Sequence, residues 1–194
     1  MNIGFDFDGV ILDSEERQKF YAEYYSWFDL GKKRLRSNEV DQDKCFDWSE
    51  EETKRFYETY FVDATESAPF VAGAYEILTK LKAQGHKLYV ISRRGADGQA
   101  EIDHAMKKLK MLNFEFDGVY FSEINKIKRC EELNLQVFVD DNPNNVESFK
   151  DSDIKILFFK DIKIKTVKQD NVMQIDDWMD IYHFVNKLQK KYEN

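Results

Sequence analysis

Ile3-Gly4-Phe5-Asp6-Phe7-Asp8-Gly9-Val10 is a short apolar run that ends in two carboxylates and a glycine. The run from Ile3 to Phe7 reads as a buried strand, closed by the glycine turn signal. The two-residue period of a strand sends Asp6 and Asp8 to the same side. Carboxylates are rarely buried without a partner, because desolvating the charge is costly. A hard divalent cation with oxygen ligands, such as Mg2+, suits such a pair.

Three further stretches carry polar residues at comparable places. Lys87-Leu-Tyr-Val-Ile91 ends in Ser92-Arg93-Arg94-Gly95. Lys126 stands at the head of a helix expected to run to residue 133. Val137-Phe-Val139 ends in Asp140-Asp141-Asn142-Pro143, which is also a turn and helix start in its own right. Singly these are ordinary: a strand-end serine commonly just satisfies a turn, and a lone helical lysine is commonly solvated. Together they put acid pairs at two strand ends, with a hydroxyl and a lysine between them. In open parallel sheets, ligands bind beyond the carboxyl ends of the strands, so the stretches converge on one site.

Between the first strand and the rest lies a long segment, Ser14 to about Phe70, with no clear apolar strand. Ser14-Glu15-Glu16 signals a helix start, with acids favoured by the positive end of the helix dipole. That helix is expected to reach Phe28. Ser49-Glu50-Glu51-Glu52 repeats the signal and predicts a second helix to about Phe61, after a polar link from Gly31 to Asp47. From Pro69 the pattern changes. Ala74 to Ala83 is amphipathic, with Ile77, Leu78 and Leu81 on one face and Gly85 just past its end. Strands are then expected over 88–92, 118–121, 136–140 and 154–159. Helices are expected over 98–112 and 126–133, from Pro143, and from Trp178 to Leu188. Strands alternating with helices predict an α/β fold, a parallel sheet covered on both faces. Residues 1–13 and 71–194 form the core and 14–70 an inserted helical subdomain.

These motifs resemble those of the haloacid dehalogenase superfamily of Mg2+-dependent phosphotransferases. The matching residues are Asp6-Phe-Asp8-Gly9-Val10, Ser92 after an apolar strand, Lys126, and Asp140-Asp141, in that order and spacing. Within the superfamily the chain looks most like the deoxyribonucleotide-specific cytosolic 5′-nucleotidase group, through its small N-terminal cap and its Ile-Ser-Arg and Val-Asp-Asp-Asn-Pro segments. Many members of that group carry Thr-Ala-Arg where this chain has Ser92-Arg93-Arg94. The resemblance implies a Rossmann-like core with a helical cap after the first strand. It implies Asp6 as nucleophile, and Mg2+ held by Asp6, the backbone carbonyl of Asp8, and Asp141, with Asp140 close by.

A phosphomonoesterase needs a nucleophile in line with the leaving oxygen, and carboxylates fill that role in aspartyl-phosphate enzymes. The departing oxygen needs a proton, and like charge around Asp8 favours its protonated form. Asp8 is therefore expected to donate that proton and then to activate the hydrolytic water. Ser92 and Lys126 are expected to bind phosphate oxygens, with Arg93 as a further substrate contact. Lys128 lies two positions beyond Lys126 and points away. His86, His104 and His183 show no ligand spacing and read as structural or solvated. The insertion is rich in aromatics. Most would pack its helices together, while Phe20, Tyr24 and Trp48 are candidates for stacking on a nucleobase.

The chain of 194 residues has 29 basic and 37 acidic side chains, a formal charge of −8. That argues against a nucleic-acid polymer or a membrane surface as partner. It is compatible with a small phosphorylated metabolite, which the resemblance implies is a nucleoside monophosphate, and leaves a homodimer open. Two cysteines, the first strand so near Met1 and no long apolar run point to a cytoplasmic protein. Two rival readings stand beside the 5′-nucleotidase. One is a phosphatase for a sugar phosphate or another small phosphoester. The other is a non-catalytic Mg2+-binding signalling module such as a response-regulator receiver. In a receiver the phosphorylated Asp lies on an inner strand, and no insertion of this length follows the first strand.

Overall fold

A computed structural model describes residues 1–36, 42–96, 98–159 and 167–193. The chain divides into two compact units, Met1–Ile11 with Phe70–Asn194, and Leu12–Pro69.

The first unit is built on six parallel strands: β1 (Asn2–Phe5), β2 (Lys87–Ile91), β3 (Gly118–Tyr120), β4 (Val137–Asp140), β5 (Lys155–Phe159) and β6 (Val172–Ile175). Their order is β3-β2-β1-β4-β5-β6. β1 is central, with Phe5 in register with Val90 on one side and Val139 on the other. Leu88 to Ile91, Val137 to Asp140 and Ile156 to Phe159 are buried throughout, the pattern of parallel strands covered on both faces. Gly4 is required by this packing: a Cβ there would lie 2.5 Å from Leu135 Cδ1 and 2.9 Å from Phe138 Cδ2. Strand order runs outward in one direction from β1 to β3 and in the other from β4 to β6. The reversal lies between β1 and β4, the switch point at which such sheets bind ligands.

β1 stops at Phe5 rather than Phe7, although the Asp6 N–H still donates to Val139 O at 2.8 Å. Asp8 thus lies beyond the strand, where strand alternation no longer governs its direction. β6 was absent from the sequence reading. It is a four-residue edge strand with Met173 and Gln174 exposed, so it lacks a continuous apolar run. The last helix runs Trp178–Tyr192, longer than expected. Its Trp178 stacks on Phe5 with ring centroids 5.2 Å apart, and its Nε1–H donates to Val10 O at 3.0 Å.

The second unit contains α1 (Glu15–Tyr24), which continues through a π-helical turn (Tyr25–Asp29). After a 3-10 turn (Gln42–Cys45) come α2 (Glu50–Phe56), a second π-helical turn (Tyr57–Phe61) and α3 (Val62–Ser67). Ser49 and Glu52 cap α2 reciprocally, at 3.2 and 2.6 Å. Ser14 stands before α1 but makes no side-chain cap. The core here is aromatic: Tyr25, Phe46 and Phe56 are buried, with Trp48, Tyr57 and Tyr60 packed against them. The link expected to be polar therefore contributes a core residue, Phe46. Its residues 37–41 lie outside the described residues. The chain enters and leaves this unit side by side, the Asp13 N–H bonding to Pro69 O at 2.9 Å.

The remaining helices all belong to the first unit: α4 (Ala74–Ala83), α5 (Gln99–Leu112), α6 (Lys126–Glu132), α7 (Pro143–Ser148) and α8 (Trp178–Tyr192).

Candidate active site

Asp6 leaves the end of β1 and is almost wholly buried. Its Oδ1 accepts the N–H of Phe7 at 2.7 Å, and its Oδ2 lies 2.6 Å from Lys126 Nζ. Lys126 is the first residue of α6, a helix capped by the Asn125 side chain. Its ammonium also reaches Asp140 Oδ2 at 2.7 Å, so one buried cation bridges acids from two neighbouring strand ends. Asp140 is fully buried and heavily engaged. Besides Lys126 it accepts the Asn142 N–H at 2.8 Å, and the Asn145 carboxamide at 3.2 and 3.1 Å. A carboxylate has about four acceptor positions, so Asp140 is oriented on every side by protein donors.

Asp141 follows just beyond the carboxyl end of β4 and packs against the loop after β1. Gly9 adopts φ +69, and a Cβ on it would lie 1.8 Å from Asp141 Oδ2. Only glycine satisfies both demands. Carboxylate oxygens of Asp6, Asp140 and Asp141 all lie within 4.8 Å of one another.

Ser92 follows β2 directly and is buried. Its backbone is held on both sides, N–H to Tyr120 O at 2.9 Å and carbonyl from Glu123 N–H at 3.0 Å. Its Oγ accepts the Arg94 N–H at 3.2 Å. The two arginines differ sharply. Arg93 is exposed, whereas the Arg94 side chain is 2% exposed and holds both oxygens of Asp8. Arg94 Nε donates to Asp8 Oδ2 at 2.9 Å, and Nη2 donates to Oδ1. Asp6 and Asp8 thus face different cations.

Charge in this cluster is strongly interdependent. Burial pushes the Asp6 carboxyl up to about 7, with Asp140 and Asp8 adding like-charge repulsion and Lys126 opposing it. Burial works against the Lys126 ammonium, but Asp140 and Asp6 outweigh it and hold its pKa above the ordinary lysine value. Burial also raises the Cys130 thiol, one turn further along α6, which removes it as a nucleophile.

Comparison with known proteins adds the family. The model described as "5' nucleotidase, deoxy (Pyrimidine), cytosolic type C protein" matches residues 1–192. The chain belongs to the cytosolic type C 5′-nucleotidase family. A curated nucleotidase of Clostridium acetobutylicum is 21% identical over 201 residues, covering 100% of this chain and 97% of that protein. Among solved structures, a haloacid dehalogenase-like hydrolase from Streptococcus pneumoniae is similar, with TM-score 0.67 and 17% identity over 95% of this chain and 97% of that one. A predicted phosphoglycolate phosphatase from Haemophilus somnus is similar at TM-score 0.63 and 17% identity, over 94% and 96% of the two chains. Membership of that family makes the chain one of a family of phosphatases, and the expected α/β core is the fold it shares with these haloacid dehalogenase-like hydrolases.

The acid cluster fits a hard cation. Its donors are the carboxylate oxygens of Asp6, Asp140 and Asp141, the hard ligands such a cation takes. No helix among the described residues is long and apolar enough to cross a membrane.

Two of the three aromatic candidates, Phe20 and Tyr24, are exposed rings on the inserted unit. Trp48 is placed differently. It stacks on Phe46 at 4.8 Å and 5°, touches Tyr25 and Phe56, and donates to Ser26 Oγ at 3.3 Å, all inside that unit's core. Sequence reasoning missed Asn145 and the distinct place of Arg94. His104, read as structural or solvated, has its Nδ1 3.5 Å from Arg94 Nη1. Asn145 sits in the first turn of α7, where the run Asp-Asp-Asn-Pro-Asn-Asn was read only as a helix start.

Proposed function

We propose that this protein hydrolyses (deoxy)nucleoside 5′-monophosphates, with Mg2+, through an aspartyl phosphate on Asp6. The observation that carries the reading is the buried Asp6–Lys126–Asp140 cluster in a chain matched by the family model from residue 1 to 192. Asp6 and Asp141 would hold the cation, with the backbone carbonyl of Asp8. Asp140, with its acceptor positions already met by Lys126, Asn142 and Asn145, instead fixes Lys126. Bound Mg2+ would supply positive charge between the phosphate and the acids and favour the ionised form of Asp6.

Asp6 attacks phosphorus, and the bond from phosphorus to the sugar oxygen breaks. Asp8 gives its proton to that departing oxygen. Water then attacks the aspartyl phosphate, Asp8 takes the water's proton, and Asp6 is regenerated as inorganic phosphate leaves. Ser92 and Lys126 hold the non-bridging oxygens throughout, Ser92 through its hydroxyl hydrogen. Phe20 and Tyr24 are the rings proposed to stack on the base.

The test is turnover by Asp6→Asn, which keeps size and removes the nucleophile, alongside wild-type turnover with excess EDTA. Both should lose essentially all release of phosphate from nucleoside monophosphates, and added Mg2+ should restore the EDTA sample. Full turnover by Asp6→Asn, or indifference to EDTA, rules the mechanism out.

A further inference from the structure

We propose that Arg94 is the positioning residue of the acid–base step, holding the Asp8 carboxyl group in the orientation from which, when protonated, it gives its proton to the leaving oxygen and, once ionised, takes one from water. The inference rests on the phosphatase reading above and extends it to a residue outside the acid, serine and lysine motifs.

The guanidinium grips Asp8 with two prongs, Nε to Oδ2 at 2.9 Å and Nη2 to Oδ1. A planar fork fixes direction as well as charge, which a lysine ammonium cannot do. Arg94 is itself immobilised. Its guanidinium carbon lies 5.2 Å from the centre of the Phe7 ring, and Nη1 is 3.5 Å from His104 Nδ1. The backbone is tied on both sides, N–H to Ser92 Oγ at 3.2 Å and carbonyl from Ser122 N–H at 2.9 Å. Ser122 holds φ +61, a conformation a serine rarely adopts. Such strain persists only where the surroundings over-determine it. The loop after β3 therefore braces the loop after β2, and the braced residue grips an acid on the loop after β1.

That brace matters because Asp8 has left the strand. Asp6 keeps its backbone bond to Val139, whereas the Asp8 side chain, 27% exposed, is held by the fork. Its position beyond β1 means that the sheet alone does not aim it. The two-pronged grip uses two of about four acceptor positions on a carboxylate, so it is compatible with proton transfer at the same group. A competing role for Arg94 is direct phosphate binding, and the two roles have opposite kinetic signatures.

The experiment compares wild type with Arg94→Gln, Arg94→Lys, Asp8→Asn and the double variant Asp8→Asn/Arg94→Gln. Substrates are an alkyl monoester, a nucleoside 5′-monophosphate, and p-nitrophenyl phosphate, whose leaving group needs little protonation. General acid–base catalysis is worth roughly 10²–10⁴-fold. Arg94→Gln should therefore lower kcat on the nucleotide about 10- to 100-fold, with far less loss on the aryl ester and little change in KM. Arg94→Lys should recover little, because it restores charge without the fork. In the Asp8→Asn background Arg94→Gln should cost almost nothing more. The double variant removes both charges together, so its folding, checked by circular dichroism, keeps the cycle interpretable if Arg94→Gln alone is unstable. Equal losses on both ester types, a rise in KM on both, or additive losses in the double variant overturn the positioning role. A wild type inactive on every phosphoester overturns the phosphatase reading instead.

Discussion

Gly9 shows how one residue can tie backbone to chemistry. Its φ of +69 excludes a side chain at low cost, and the Asp141 carboxylate occupies the space a Cβ would fill. Gly9→Ala should cost about 1–3 kcal/mol from backbone strain alone, and it should push Asp141 aside. The expected result is a lower melting temperature together with a higher Mg2+ concentration for half-maximal activity, read by thermal scans and metal titration. Unchanged metal dependence would remove Asp141 from the cation site. At this scale the sequence was informative for residues whose chemistry repeats a pattern. Lys126 Nζ lies 2.6 Å from Asp6 and 2.7 Å from Asp140, and Ser92 is buried at the end of the neighbouring strand β2. It was uninformative for Arg94 and Asn145. Two adjacent arginines are indistinguishable in sequence, and only the turn after β2 leaves one exposed and buries the other. Asn145 is one asparagine among three after Asp141, and its partner is chosen by the first turn of α7.

Elements were legible in proportion to their burial. β2, β4 and β5 are central and continuous in apolar residues, so their sequence marks them. β6 pairs with β5 alone and alternates weakly, so its existence depends on a neighbour that the sequence does not display. The helix ends followed the same logic. Ser49 and Glu52 cap α2 as the spacing predicts, while Ser14, equally placed by sequence, makes no side-chain cap. Trp178 tests how an element is fastened. Its ring stacks on Phe5 and its indole N–H satisfies the Val10 carbonyl on the loop that leads out of the site. Trp178→Phe keeps an aromatic ring and removes the donor. Leaving that buried carbonyl unsatisfied should cost about 1–3 kcal/mol. A denaturant titration should show the midpoint falling with the slope unchanged, and an unaltered midpoint means that the bond contributes nothing.

At the scale of the whole molecule, the acids and the candidate stacking rings lie on different units. Asp6, Asp8, Ser92, Lys126 and Asp140 all belong to the unit built on the sheet, whereas Phe20, Tyr24 and Trp48 belong to the inserted one. The core of the insertion takes up Tyr25, Phe46, Trp48 and Phe56, so packing accounts for those rings. Phe20 and Tyr24 remain 59% and 43% exposed, more than packing of that core requires. If they stack on a base, each contributes roughly 1–3 kcal/mol, equivalent to about 5- to 150-fold in affinity. Phe20→Ala and Tyr24→Ala should then raise KM for nucleoside monophosphates by a factor in that range. Turnover of p-nitrophenyl phosphate should barely change, because its binding uses the phosphate contacts and no base. Trp48→Ala should behave differently: it opens the aromatic core, lowers stability, and affects both substrates through the loss of folded protein. If neither Phe20 nor Tyr24 alters the ratio of nucleotide to aryl phosphate KM, base stacking by these rings is wrong. The reading of a small phosphoester lacking a base, such as a sugar phosphate, then moves ahead, since the phosphate chemistry is carried by the sheet unit's own residues.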